Sequence, residues 1–223
     1  AAVLGAVRDL DVAIENAQAF AATLGPDSAN GLDILVARWQ TERDGARQRL
    51  LAYLDSPAYA ELVANLRALV EQAAGSTPAE TGTIGAFAPL LLTVYRGMVL
   101  AYAPIVDQAP VELLHALRID CKRLRYGFEF LGEVLPACET DVIAEVVALQ
   151  DHLGKLHVAT VAVQRLEAIL ADLPPDAESQ QIQRYQDTQR QEGRQLQDAF
   201  PQAWARFMGA EIQAALDIVL GGY

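Results

Sequence analysis

The part of the sequence best suited to chemistry is a run of basic residues between positions 114 and 126. A histidine and three cations follow one another there at spacings of three and four residues: His115, Arg118, Lys122 and Arg125. Arginine presents a planar fork of N–H donors to phosphate oxygens, lysine adds a point charge, and histidine can become cationic near neutral pH. These residue types at this spacing predict a binding site for an anion.

Helical geometry would place the four side chains on one narrow stripe. A helix turns by about 100° per residue, so the three cations point at roughly 300°, 340° and 280° when His115 is taken as zero. The apolar residues of the same segment fall at roughly 180–260°, directly beside that stripe: Leu114, Leu117, Cys121, Leu124 and Phe128. We therefore expect the cations at the rim of a groove in a helical bundle, and Arg123, at about 80°, in solvent.

The overall composition limits what kind of anion the protein can bind. The chain has 223 residues, 52% of them apolar, and its 29 acidic against 17 basic residues give a net charge of −12. This excludes a disordered chain and argues against general nucleic-acid binding. Two cysteines exclude a disulfide scaffold, and free thiols suit the cytoplasm. The many carboxylates leave an alternative open, in which salt bridges within the protein neutralise the stripe.

Proline and glycine signals divide the chain into about eight helical segments, so we predict an all-α fold. Pro201 is predicted to begin the eighth segment. Residues 84–106 are apolar, but Pro89 and Arg96 favour a buried bundle helix over a membrane span. The first residues lack the basic and apolar regions of a signal peptide.

Two parts of the chain resemble each other. Residues 4–13 align with residues 153–162, and a second match at nearly the same offset pairs Arg43 and Arg47 with Arg190 and Arg194. Together they indicate duplication of a helical unit. We expect a first repeat at 1–75, a linker and connecting helix at 76–109, and a second repeat at 110–223. The basic helix has no counterpart ahead of residues 4–13, so the first repeat is expected to be incomplete at its N-terminus.

The sequence resembles a known family at these residues. The string His115-x-x-Arg118-Ile119-x-x-Lys122-Arg123-Leu124-Arg125-Tyr126 resembles the signature helix of the CHAD family, the histidine-containing α-helical domain. Residues 149–157 resemble its second signature. Residues 4–12 and 54–59 are similar to the matching stretches of its first repeat. The resemblance extends over nearly the whole chain.

This resemblance implies two pseudo-symmetric antiparallel helical bundles with basic residues and histidines lining the surface between them. It also implies non-catalytic binding of inorganic polyphosphate. The residues themselves lead us to expect no cofactor or metal and no nucleic-acid or membrane partner. Association with polyphosphate granules and their proteins would follow. The binding residues carried over by position are His115, Arg118, Lys122, Arg125, Lys155 and His157 from the second half, Arg8 from the first, and more weakly Arg43, Arg47, Arg190 and Arg194.

Two other functions remain open from the residues themselves. A structural or protein-interaction module would have the same helices with its charges paired internally, and a phosphohydrolase would need catalytic groups for which we find no motif. Three histidines without an acid three or four residues further along the chain argue against a metal site. We expect Glu129 to pair with Arg125 along the helix, and His152 to lie on the surface.

Overall fold

A computed structural model describes residues 2–24, 30–75, 84–106, 109–135 and 140–221. These residues contain eight α-helices and no strand, which confirms the all-α prediction. The predicted linker at 76–109 lies partly outside the described residues, as does Cys138. The helices are α1 (Ala2–Thr23), α2 (Asn30–Leu54), α3 (Pro57–Gly75), α4 (Ile84–Leu100), α5 (Val111–Leu131), α6 (Thr140–Ala171), α7 (Ala177–Phe207) and α8 (Ala210–Val219).

The chain forms two compact units, neither of which is continuous in sequence. Unit 1 comprises residues 1–79 and 162–189, and unit 2 comprises residues 80–161 and 190–223. The long helices α6 and α7 therefore each contribute one part to unit 1 and another to unit 2. The boundaries predicted from the sequence repeats divide the chain into consecutive segments instead. They concern the duplication of a helical unit and remain a prediction.

Unit 1 has its own hydrophobic core, in which the first two helices pack with parts of α6 and α7. Trp39 of α2 is 1% exposed and Tyr185 of α7 is 1% exposed, and both belong to one buried cluster with Leu166 of α6. Near the start of α2, a Cβ atom on Gly31 would come within 2.5 Å of the backbone oxygen of Glu178. A residue without a side chain is therefore required where α2 approaches α7.

Unit 2 has a core to which α5 contributes its whole apolar face. All five apolar residues that the spacing placed beside the cationic stripe are buried, as predicted: Leu114, Leu117, Cys121, Leu124 and Phe128. Burial raises the pKa of the Cys121 thiol to about 12, so the group stays protonated at neutral pH and packs as a small apolar side chain. Because the buried side of α5 is fixed in this way, the direction of its neighbouring cationic side is fixed too.

The prediction for Pro201 is wrong. Pro201 lies inside α7, and the eighth helix begins at Ala210, after Gly209. A proline in a helix interior removes one backbone hydrogen bond and costs about 3 kcal/mol. On either side of it Phe200 and Trp204 are buried in the core of unit 2. Because that apolar face continues through the proline, packing outweighs the break signal.

No helix among the described residues is both long enough and apolar enough to cross a membrane.

Candidate anion-binding site

The predicted cationic stripe of α5 lies where this helix runs alongside α6. His115 contacts His157, Arg118 lies beside Gly154, and Arg125 hydrogen-bonds to Gln150. As the residue numbers rise along α5 they fall along α6, so the two helices are antiparallel at this surface. We call this surface the seam; it comprises His115, Arg118, Lys122 and Arg125 of α5 with Gln150, Gly154 and His157 of α6.

A glycine, Gly154, stands at the middle of the seam. A Cβ atom on Gly154 would lie 4.0 Å from Arg118 Nε and 3.7 Å from the amide nitrogen of Gln150. An alanine would therefore make only ordinary van der Waals contact, whereas a larger side chain would fill the space next to the guanidinium. The glycine costs the helix roughly 1 kcal/mol relative to alanine, so it leaves room beside Arg118 at some cost in stability.

Arg125 is the cation of the seam that is already neutralised. Its Nε donates to Glu129 at 2.7 Å, its Nη1 donates to the Gln150 side-chain oxygen at 2.7 Å, and Asp151 lies 3.5 Å from the same Nη1. The hydrogen bond to Glu129, with the charge of that carboxylate, raises the pKa of Arg125 above its ordinary value. The predicted intrahelical pair of Arg125 with Glu129 is thus confirmed.

Arg118 and Lys122 are not neutralised. Within the described residues neither has an ion pair, and Arg118 Nε is fully buried without a hydrogen-bond partner among the protein atoms. Lys122 places its Nζ 5.4 Å from the centre of the Tyr126 ring, a cation–π contact. The nearby acid Asp120 is already engaged, because it accepts hydrogen bonds from Tyr102 and Arg123. These two charges therefore remain available to a ligand.

Two imidazole rings meet at one end of the seam. The Nδ1 atoms of His115 and His157 are 3.1 Å apart, and the ring centres are 4.5 Å apart. At that distance one Nδ1 carries a proton and donates it to the lone pair of the other. If both Nδ1 atoms were protonated, two N–H groups would face each other. The contact is therefore a hydrogen bond between the two rings, and which ring donates depends on their tautomers.

The remaining predicted binding residues are not part of the seam. In unit 2, Lys155 follows Gly154, so it points about 100° away from it and is exposed. Arg190 is half-buried and Arg194 is exposed on α7. In unit 1, Arg8 and Arg47 are exposed, while Arg43 is tied to Asp11, an interaction that raises the pKa of Arg43 above its ordinary value. The geometry therefore assembles the α5 residues with His157, and Arg43 already has its own partner.

One position was predicted wrongly and another was missed. His152, expected on the surface, is half-buried, and its Nε2 lies 2.8 Å from the backbone oxygen of Leu196 on α7. Gln150 was not among the predicted site residues, although it holds Arg125 across the seam. Both contacts join residues far apart in sequence, so helical periodicity alone could not find them. Among the residues that the structure describes, no group of three or more His, Cys, Asp or Glu side chains could hold a metal ion.

Comparison with protein-family models matches residues 1–167 to the CHAD domain. The match includes every residue of the seam. A search of curated proteins found no match.

Proposed function

The chain belongs to the CHAD domain family, and on that premise we propose that it binds inorganic polyphosphate, or a similar linear polyanion, without catalysing its turnover. The seam is the proposed binding surface. One observation carries the proposal: Arg118 and Lys122 have no carboxylate partner within the described residues of a protein whose net charge is −12.

Of these two residues, Arg118 gives the stronger support for an anion-binding site. A buried N–H group without a hydrogen-bond partner costs about 1–3 kcal/mol, and almost all such groups in proteins are satisfied. The guanidinium is held half-buried beside Gly154, so it is oriented without being neutralised. A phosphate oxygen supplies both the missing acceptor and the missing negative charge.

The extent of the seam favours a slender, repeating anion. From His115 to Arg125 it extends for about 15 Å along α5, at a rise of about 1.5 Å per residue. Its cationic groups succeed one another every three or four residues. A chain of phosphates can follow such a line, whereas the surrounding excess of acids repels a bulky nucleic acid.

Calorimetric titration with long-chain polyphosphate at two salt concentrations tests the proposal. Single-stranded polyanions lose affinity with a salt slope near −0.7 for each phosphate contacted. With three or four contacts we expect the affinity to fall roughly 20- to 50-fold between 50 and 200 mM salt. Absence of binding at 50 mM salt would refute the proposal, and release of orthophosphate during the titration would refute its non-catalytic part.

The pair of histidines gives the binding a predicted pH dependence. A bound phosphate places negative charge beside both rings, and an opposite charge within about 4–6 Å favours the cationic form of an imidazole. We therefore expect proton uptake on binding and an affinity that rises as the pH falls from 7.5 to 6. Titrations in two buffers of different ionisation enthalpy measure the uptake directly. The variant His115→Gln should lose most of it, and an unchanged proton count in that variant would contradict this role.

The second candidate function is a structural or protein-interaction module. The pairing of Arg125 with Glu129 favours it, because that cation is already satisfied within the protein. The two candidates differ in whether polyphosphate binds to the seam in solution. A polyphosphate-binding protein would also be expected at polyphosphate granules, whereas an interaction module would reach its location through its protein partner.

A further inference from the structure

An exposed pair of aromatic rings lies on α5 beside the seam. Phe130 is 81% exposed and Tyr126 is 40% exposed, and their ring centres are 6.1 Å apart with a tilt of 58°. We call these two residues the aromatic patch. Both rings are on the outer side of a helix whose next aromatic neighbour, Phe128, is 1% exposed. The patch thus leaves two large apolar faces in water at one place.

The aromatic patch continues directly from the unpaired cations. Tyr126 lies one helical turn beyond Lys122, whose Nζ is 5.4 Å from the ring centre. Phe130 lies one turn further, about 12 Å along the helix axis from Lys122 and about 18 Å from Arg118. A ligand that places phosphates on Lys122 and Arg118 therefore brings whatever is attached to its end towards the rings.

One acidic residue lies between the two features. Glu129 is on the same side of α5, and its carboxylate accepts the hydrogen bond from Arg125 at 2.7 Å. Because this charge is paired, it repels an approaching phosphate less than a free carboxylate would. Arg123, on the other side of the patch, is paired with Asp120. The unpaired positive charge beside the rings therefore comes from Lys122, with Arg118 behind it.

We propose that the seam and the aromatic patch together bind a nucleoside polyphosphate, with the phosphates on Lys122 and Arg118 and the base against Tyr126 and Phe130. This inference rests on the proposed function, since it uses the same cations for the phosphates. A nucleobase has an apolar π-face that stacks on aromatic side chains and is stabilised further by a nearby cation. Inorganic polyphosphate has no group that could stack on the two rings.

Titration with ATP and with inorganic tripolyphosphate, both free of magnesium, separates the two ligand classes. Tripolyphosphate carries at least as much negative charge as ATP, so a site that recognises charge alone would bind tripolyphosphate more tightly. Stacking of one base on aromatic side chains adds to the affinity, and we expect ATP to bind about tenfold more tightly than tripolyphosphate. Phe130→Ala should remove most of that tenfold difference and leave the affinity for tripolyphosphate unchanged.

The control variant is Ile218→Ala, which removes a 74% exposed apolar side chain from α8. It should keep the full preference for ATP. Equal affinities for ATP and tripolyphosphate, with long-chain polyphosphate still bound, would overturn this inference and leave the proposed function standing. Loss of binding to all three ligands would overturn both. If Phe130→Ala changed only the sedimentation of the protein, the patch would be a contact between proteins and this inference would be wrong.

Discussion

We expect the double variant Arg118→Ala, Lys122→Ala to bind long-chain polyphosphate at least 100-fold more weakly than the unmodified chain at 50 mM salt. A hydrogen bond to a charged group contributes about 1.5–3 kcal/mol, and the variant removes two cations that have no carboxylate partner among the described residues. The salt slope should fall as well, since fewer phosphates are neutralised. Calorimetry or fluorescence titration across a salt series measures both quantities.

A variant of equal charge change is the control for this result. Arg38 and Arg206 are both exposed, and within the part of the chain that the structure describes their side chains take part only in surface ion pairs, with Glu42 and Glu145. Such pairs contribute little, about 0–1 kcal/mol, so Arg38→Ala, Arg206→Ala should fold normally and bind nearly as tightly as the unmodified chain. If both double variants lost affinity equally, net charge and not the seam would hold the ligand. Full affinity in the Arg118 and Lys122 variant would contradict the proposed site.

The largest effect on stability is expected at Phe128. This ring is 1% exposed in the core of unit 2, and its replacement by alanine leaves a cavity that typically costs 3–5 kcal/mol, or about 4. Total stabilities are about 5–15 kcal/mol, so Phe128→Ala should unfold at a much lower urea concentration. Phe128→Leu fills most of the space and should cost roughly 1 kcal/mol, which keeps the test open if the alanine variant does not fold.

The matched control is two residues away. Phe130 is 81% exposed, so Phe130→Ala should change the free energy of unfolding by no more than about 0.5 kcal/mol. The contrast tests whether α5 is oriented as described, because a helix rotated by half a turn would exchange the two residues. Equal destabilisation by both alanine variants would show that α5 is not oriented as described and that its cations do not face α6.

The buried face of α5 could be predicted from the sequence because it depends on local periodicity. Leu117, Cys121 and Leu124 are buried where a rotation of 100° per residue places them, and Glu129 pairs with Arg125 at a spacing of four. Pro201 shows the limit of local rules, since a break signal of about 3 kcal/mol was outweighed by apolar packing on both sides of the proline.

The contacts across the seam could not be predicted from spacing. His115 and His157 are 42 residues apart and Arg125 and Gln150 are 25 apart, so each pair depends on how α5 and α6 are placed side by side. The same holds for which cations remain unpaired. Composition suggested that any of them could be neutralised, and the structure engages Asp120 with Tyr102 and Arg123 instead of Arg118. The exposure of Phe130, about 200° around the helix from the buried Phe128, agrees instead with local periodicity.

The discontinuity of unit 1 affects how the protein is made. Its core joins Trp39 to Leu166 and Tyr185, so the hydrophobic faces of α1 and α2 have no complete partner until about residue 189 has been synthesised. Ribosomes add about 5–20 residues per second, so α1 and α2 wait roughly 7–27 s after α2 has been translated. During that interval chaperones have access to these helices, and a slower ribosome lengthens the period in which nascent chains can associate with one another.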